Sequence, residues 1–140
     1  MVAYGEFRRG YLKDETDQRI VCFGMRYIIE TFVAQRWTVE DVDNAGKFFE
    51  THNVAFTPLK FPKDIFLKFI AENDGYFPVK IESPKEGSVI YPHVPVYQIT
   101  ATKEYSRLVT YLETLLTMVW VCLVLSQLSL SWAKRKSRTK

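Results

Sequence analysis

The chain of 140 residues is long enough for one domain with a substantial hydrophobic core, and its 47% hydrophobic and 25% charged residues are typical of a globular protein. Five of its nineteen basic residues lie in residues 134–140, which leaves fourteen basic against sixteen acidic residues in the rest. The net charge of +3 is therefore a property of the C-terminal end. The body offers no general positive field, so we expect no nucleic-acid partner.

The cysteines and the N-terminus together favour the cytoplasm. Cys22 and Cys122 are too few and too far apart for a disulfide framework, which favours a reducing compartment. The N-terminal segment MVAYGEFRRGYLKDE contains no apolar run of signal-peptide length. We therefore expect a cytoplasmic protein, or one anchored in a membrane from the cytosolic side.

The first elements in chain order are a strand and a helix. Residues 2–7 alternate loosely and are rich in strand formers. After a polar loop, apolar residues recur at three- and four-residue steps from Ile20 to Trp37, which predicts a helix of about four turns. Gly24 inside this helix costs about 1 kcal/mol relative to alanine and therefore indicates close packing.

Two more helices follow, each with a recognisable start. Thr38, with Glu40 and Asp41 after it, is typical of an N-cap followed by acids in the first turn. This helix ends near residues 52–53. Pro62 starts the third helix, and the Asn-Asp-Gly sequence at 73–75 ends it, because these residue types tolerate a left-handed backbone. The expected buried faces are Val42, Ala45, Phe48 and Phe49 on the second helix, and Ile65, Phe66, Phe69 and Ile70 on the third.

From Gly75 the apolar period changes from helical to two. Residues 76–82, 88–91 and 94–100 predict three short strands, and Pro84 with Gly87 predicts the turn that closes the first two into a hairpin. The fold class is therefore α+β: a short N-terminal strand, three helices, an antiparallel β-meander and a long C-terminal helix from Glu104. The shared apolar face is expected to contain Val79, Ile81, Val89, Val96 and Ile99, covered by Leu108, Tyr111, Leu112, Leu115 and Met118.

No residue pattern in the chain predicts catalysis. Walker-type, GxGxxG and GxSxG sequences are absent. His52 and His93 have no acidic or cysteine partner at ligand spacing, and His93 lies in a proline-rich turn. The pair Arg8-Arg9 could hold an anion, but a solvated strand end is the simpler interpretation. We therefore assign no catalytic, substrate-binding or metal-binding residue.

Several segments nevertheless resemble the N-terminal part of the nicotinamide phosphoribosyltransferase family. The segment Asp74–Thr100 (DGYFPVKIESPKEGSVIYPHVPVYQIT) has a similar turn before a proline-marked strand, and Tyr111–Trp120 (YLETLLTMVW) has a similar Glu-Thr pair on a helix. VCFGMRYIIETF and TVEDVDNAGKFFETHN resemble two preceding helices of the family. The similarity runs from about Tyr4 to Trp120. Nicotinate phosphoribosyltransferases share a looser version, so the amide-using branch is favoured.

The resemblance implies a pentosyltransferase of NAD biosynthesis. Family members are homodimers that transfer phosphoribose from phosphoribosyl pyrophosphate, used with Mg²⁺, to the pyridine nitrogen. Their N-terminal region is mainly scaffold and dimer surface, and the catalytic residues lie in a later barrel. Residues 1–120 are therefore expected to form this N-terminal domain without a cofactor of its own and to be inactive alone. The expected partner is a second copy or the full-length enzyme, and Glu113 is expected to have a structural role.

Residues 121–140 form a tail that does not resemble the family. The uncharged run at residues 114–132 approaches the length of a membrane span. Its many serine and threonine residues, and the lack of a signal that exports the body, count against a span. A frameshift, a misjudged intron or an early stop near Val121 is the favoured interpretation of the tail. The alternative function is a small tail-anchored, dimerisation or interaction protein that reuses the fold.

Overall fold

The computed structural model describes residues 1–10, 17–52, 61–122 and 124. They form two compact units, one that joins Met1–Phe32 to the described residues from Val79 onward, and one at Val33–Pro78. α-Helices and antiparallel sheets, with a strand at the N-terminus and a long helix near the C-terminal end of the described residues, confirm the predicted α+β class.

The first unit contains five described strands in two antiparallel sheets. In chain order they are β1 (Val2–Glu6), β2 (Ile20–Val21), β3 (Lys80–Glu82), β4 (Val89–Ile90) and β5 (Pro95–Thr100). β5 is the central strand of the larger sheet, with β1 on one side and β3 on the other. β2 and β4 form the second sheet. The strand predicted at residues 2–7 is confirmed, and those predicted from residue 76 onward are present but shorter.

The predicted hairpin across residues 83–87 is not the pairing that forms, because β3 pairs with β5 and β4 pairs with β2. The turn residues bond to the end of β2 instead. The Gly87 amide donates to the Cys22 carbonyl at 2.8 Å, and the Cys22 amide donates to the Ser88 carbonyl at 2.9 Å. Because these bonds hold the start of β4 beside β2, β3 and β4 do not pair with each other although they are neighbours in the sequence. Val89 is consequently 54% exposed rather than part of the expected apolar face.

The long predicted helix from Ile20 is wrong in its first part. Ile20 belongs to β2, and helix α1 spans only Met25–Ile28, followed by a π-helical turn at Ile29–Val33. Gly24 precedes α1 with a left-handed φ of 100°. The apolar residues of this segment do not share one buried face. Cys22, Met25 and Ile28 are buried, whereas Phe23, Tyr27 and Phe32 are exposed.

A carboxylate from a distant turn caps α1. The Glu86 side chain accepts hydrogen bonds from the Gly24 amide at 3.0 Å and from the Arg26 amide at 3.1 Å. The first amides of a helix lack partners within the helix, and a negative charge at this end is favourable. Glu86 thus holds the 83–87 turn against the start of α1.

Helix α4, in the first unit, packs its apolar face against the larger sheet. It spans Ser106–Leu116, follows a 3-10 turn at Lys103–Tyr105, and contacts β1, β5 and α1. Leu108 and Leu112 are buried as predicted. The other buried positions are Val109 and Leu116, whereas Met118, two residues beyond the end of α4, is 48% exposed.

The second unit contains helices α2 (Val39–Thr51) and α3 (Lys63–Glu72), and the predicted helix starts and stop are confirmed. The Asp41 amide donates to Thr38 Oγ1 at 3.2 Å, and the Thr38 amide donates to Asp41 Oδ2 at 2.8 Å. These two bonds form a capping box. Bonds from the Thr38 hydroxyl and amide also lower the pKa of Asp41. α3 ends where Asp74 and Gly75 take positive φ values of 52° and 84°.

Aromatic rings form the core of the second unit. Phe66 and Phe69 are fully buried, and Trp37, Phe61 and Phe77 pack around them with centroid separations of 4.7–5.9 Å. The predicted burial of Phe48 is wrong. It lies six positions after the buried Val42, which on a helix of 3.6 residues per turn points about 120° away. Phe48 is 55% exposed and stacks on His52 at 3.9 Å.

Several predictions lie outside the described residues. These are the loop at 11–16, the chain at 53–60 and most of the tail, including the greater part of the apolar run at 114–132. Among the helices of the described residues, none is both long enough and apolar enough to cross a bilayer.

Candidate functional site

A cleft of about 820 Å³ lies in the first unit, bordered by β1, β5 and the chain at the end of α4. Residues 4–10 form one wall, Tyr97 of β5 forms the floor, and Glu113, Thr117 and Trp120 form the other wall. The cleft thus collects residues from both ends of the described chain. No local sequence pattern predicts that the two walls are neighbours, because their residues are about a hundred positions apart in the chain.

Helical spacing positions the second wall. Glu113, Thr117 and Trp120 are separated by four and then three residues, so their side chains project from the same side. The Thr117 hydroxyl donates to the Thr114 carbonyl at 2.6 Å, which orients the hydroxyl along the chain. The two residues of the Glu-Thr pair noted in the sequence therefore have different positions. Glu113 lines the cleft, whereas the backbone carbonyl of Thr114 accepts the hydrogen bond from Thr117.

The floor depends on a glycine opposite a tyrosine. Gly5 pairs with Tyr97 in the β1–β5 ladder, and the Tyr97 ring lies over it, so that a Cβ added to Gly5 would approach Tyr97 Cε1 to 2.6 Å. The Tyr97 side chain is buried. Burial, and in second place the negative charge of Glu113, raises the pKa of the Tyr97 phenol. The hydroxyl of Tyr97 can donate a hydrogen bond to a ligand in the cleft.

An aromatic pair closes one end of the cleft. The rings of Phe7 and Trp120 are 4.1 Å apart between centroids and inclined by 50°. Phe7 is buried, whereas Trp120 is 45% exposed. The inner ring therefore fixes the position of the indole, and the exposed part of the indole remains available to a ligand or partner.

The charged groups of the cleft are of both signs. Arg8 and Arg9 follow β1 and are exposed. Glu6 lies 3.3 Å from His93, measured from Oε1 to Nδ1. His93 is an exposed turn residue, as predicted, and its amide donates to the Phe7 carbonyl at 2.8 Å. This bond connects the turn at residues 91–94 to the end of β1. No local sequence pattern predicts this contact.

The arrangement is suited to binding a ligand. Its groups are two guanidinium ions, two carboxylates, the phenol groups of Tyr4 and Tyr97, and exposed ring faces, which together suit a ligand with a flat ring and charged substituents. In the part of the chain that the structure describes, no three or more His, Cys, Asp and Glu side chains converge as a metal site would require.

A scan against protein-family models and a search of curated proteins found no match to this chain.

Proposed function

We propose that residues 1–120 are the N-terminal domain of a nicotinamide phosphoribosyltransferase-like enzyme of NAD biosynthesis. Such an enzyme transfers phosphoribose from phosphoribosyl pyrophosphate, with Mg²⁺, to nicotinamide and releases pyrophosphate. The domain acts as scaffold in the cytoplasm and pairs with a second copy or with full-length enzyme. The isolated chain is inactive in this proposal, because no segment of its sequence resembles the barrel that carries the family's catalytic residues.

A contact between two of the segments that carry the resemblance supports the proposal. Glu86 of the SPKEG turn accepts the amide hydrogens of Gly24 and Arg26, which belong to the segment VCFGMRYIIETF. The turn itself requires Gly87, whose φ is 83°. Two of the segments on which the resemblance rests are therefore in direct contact in the folded chain. Here the contact sets the start of α1.

The cleft is compatible with the same function. Guanidinium groups form paired hydrogen bonds with phosphate, and Arg8 and Arg9 provide two of them at its edge. Trp120 offers an exposed ring face to a planar heterocycle. The unit thus supplies groups that suit a phosphorylated sugar or a pyridine, while the bond-making groups come from the barrel.

A domain exchange tests the proposal. Residues 1–120 replace the N-terminal domain of a nicotinamide phosphoribosyltransferase, and the chimera is assayed for nicotinamide mononucleotide with nicotinamide, phosphoribosyl pyrophosphate and Mg²⁺. We expect turnover by the chimera and none by the isolated chain. As a matched pair, Glu86→Ala is expected to reduce the yield of active chimera, and Phe48→Ala, at an exposed position, is expected to leave it unchanged. A folded chimera without activity, or turnover by the isolated chain, contradicts the proposal.

Exposed apolar side chains favour the alternative role of a pairing module. In the first unit Phe23, Tyr27 and Tyr91 are each about 60% exposed, the values being 58%, 60% and 58%. The ring of Tyr27 also lies 6.2 Å from that of the exposed Phe32, and clustered apolar side chains in solvent are typical of protein-binding surfaces. Co-purification of the tagged chain with a full-length family enzyme, lost on changing Tyr27 and Tyr91 to serine, is the expected result. Failure to co-purify counts against this role and against pairing with full-length enzyme, whereas the result of the domain exchange is independent of it.

A further inference from the structure

The two outer strands of the larger sheet differ in how they are protected. β1 and β3 lie on either side of β5, and within the part of the chain that the structure describes neither has a strand on its outer side. An outer strand presents backbone N–H and C=O groups that can pair with another extended chain, and folded proteins protect such edges by short strands, charges or proline. β3 has all three protections: it contains three residues, Lys80 and Glu82 are charged, and Pro78 and Pro84 lie near its ends.

Residues 1–5, which contain most of β1, have none of these protections. They include neither proline nor a charged side chain. The irregularity in the pairing with β5 comes only after them, between Gly5 and Glu6. Val2 and Tyr4 are 58% and 59% exposed, and their side chains project from the same side of the sheet. β1 is therefore the outer strand that is open to a further strand.

The hydrogen-bond pattern determines which backbone groups of β1 point outward. Met1 forms two bonds with Ala101: its carbonyl accepts from the Ala101 amide at 3.0 Å, and its amino group donates to the Ala101 carbonyl at 2.7 Å. In an antiparallel ladder, pairs that exchange two bonds alternate with pairs that share none. The odd-numbered residues of β1 therefore bond to β5, whereas the N–H and C=O groups of Val2 and Tyr4 point to the open edge.

An identical strand is complementary to this edge. When two copies of β1 run antiparallel about a twofold axis at Ala3, Val2 of each copy lies opposite Tyr4 of the other, and the two pairs exchange four backbone hydrogen bonds. This register also places an aromatic ring beside a β-branched side chain twice, which is a favourable cross-strand combination. In the other register that joins outward groups, Tyr4 faces Tyr4 and Val2 faces Glu6, which is charged and lies beyond the irregularity.

We propose that two copies of the protein pair through β1 about Ala3, which joins their two three-stranded sheets into one sheet of six strands. Because β3 remains protected at both ends of the joined sheet, pairing stops at two copies. The contact contains five residues from each copy and is smaller than the roughly 1,200–2,000 Å² of stable interfaces, so we expect a weak dimer in the micromolar range.

The inference rests on the proposed function in one respect only, which is the pairing with a second copy, and it names the surface that forms the pair. A chain that stays monomeric refutes this surface, whereas an inactive chimera refutes the transferase scaffold. The two proposals can therefore fail separately.

Sedimentation equilibrium of the full chain, at about 1 µM to 1 mM, tests the pairing. We expect monomer and dimer in a concentration-dependent equilibrium, without larger species. Tyr4→Lys places a cation opposite an apolar side chain in both pairs and is expected to weaken the dimer by about tenfold or more. Adding Val2→Glu to Tyr4→Lys places glutamate opposite lysine twice and is expected to restore the dimer. The other register brings lysine against lysine and predicts no such rescue.

Val89→Lys provides the matched control, since Val89 is 54% exposed but lies on β4. It is expected to leave the dimer unchanged, as is the change of Tyr27 and Tyr91 to serine, which separates β1 from the surface tested by co-purification. Circular dichroism verifies that each variant is folded.

Four results overturn the proposal: a monomer at every concentration, a dimer that Tyr4→Lys leaves intact, no rescue by the added Val2→Glu, or assemblies larger than a dimer. A monomeric chain that captures a different protein, and loses it with Tyr4→Lys, identifies a foreign strand as the occupant of the edge and also overturns it.

Discussion

Replacing Gly24 with alanine should destabilise the first unit by two separate effects. The φ of Gly24 is 100°, a backbone conformation that L-residues rarely adopt. A Cβ at this position would also lie 2.8 Å from Cys122 Sγ and closer still to Cys122 Cβ. The substitution therefore combines backbone strain with overpacking.

The two effects have comparable sizes. A left-handed conformation costs a non-glycine residue about 1–2 kcal/mol. Inserting a carbon into a filled site typically costs about 1–3 kcal/mol. Alanine also lowers the conformational entropy of the unfolded chain, which offsets about 0.4–1 kcal/mol of this loss in the free energy of unfolding. We therefore expect Gly24→Ala to reduce the free energy of unfolding by about 2–4 kcal/mol.

Two other glycines separate these effects in the same assay, which is urea unfolding followed by circular dichroism. Gly87 has a φ of 83° but open space where its Cβ would lie, so Gly87→Ala isolates the backbone strain and should cost about 1 kcal/mol. Gly46 lies inside α2 with open space and no positive φ, so Gly46→Ala should stabilise by about 0.5–1 kcal/mol.

A double variant tests the contact itself. If Cys122 is the obstacle, Gly24→Ala combined with Cys122→Gly should lose less stability than the sum of the two single changes. Strict additivity would refute the overpacking argument. Equal losses for Gly24→Ala and Gly87→Ala would show that the contact with Cys122 adds nothing.

Three further predictions follow from the packing and the charges. Glu86→Ala removes the acceptor of two helix amides and should lower the free energy of unfolding by about 2 kcal/mol, with a smaller loss for Glu86→Gln, both measured by urea unfolding. Since the pKa of Tyr97 is raised in the folded state, its contribution to stability is complete below the ordinary value of 10.0 and declines as the pH rises through the folded-state pKa. Glu113→Gln should lower that pKa slightly in a spectrophotometric titration, and an unchanged or higher value would contradict the pairing. Phe66→Ala should cost about 3–5 kcal/mol and Phe48→Ala less than about 0.5 kcal/mol, and a large loss at Phe48 would contradict its exposed position.

Local signals predicted the second unit well. Thr38 and Asp41 form a capping box within four consecutive residues, and the glycine and aspartate that end α3 are also adjacent. The information for such features is contained in a few neighbouring residues, so the sequence is sufficient. Phe48 was an exception, because its apolar character suggested burial although its helical phase did not, and Ala45, Phe49 and Ile70 are only partly buried.

The apolar spacing around Gly24 wrongly predicted a continuous helix from Ile20, and the reason is physical. Apolar residues at three- and four-residue steps occur in a helix, but a strand, a left-handed glycine and a short helix can produce the same spacing. The strand at Ile20 exists because β4 provides its hydrogen-bond partner about seventy residues later, with Ile20 opposite Ile90. No local preference encodes that partner. Pairing between distant strands also explains why the chain forms two sheets, β1-β5-β3 and β2-β4, and not the expected meander.

The sequence by itself determined the α+β class, most element positions and the concentration of positive charge at residues 134–140, because these follow from local preference and composition. Only the tertiary structure decided which strands pair, that Glu86 caps α1, and that Tyr97, Glu113 and Trp120 share a cleft with Arg8 and Arg9. These relations join residues as many as about a hundred positions apart. Their free energy arises only when the chain is folded, since burial and hydrogen-bond geometry act between elements that are separate in the sequence.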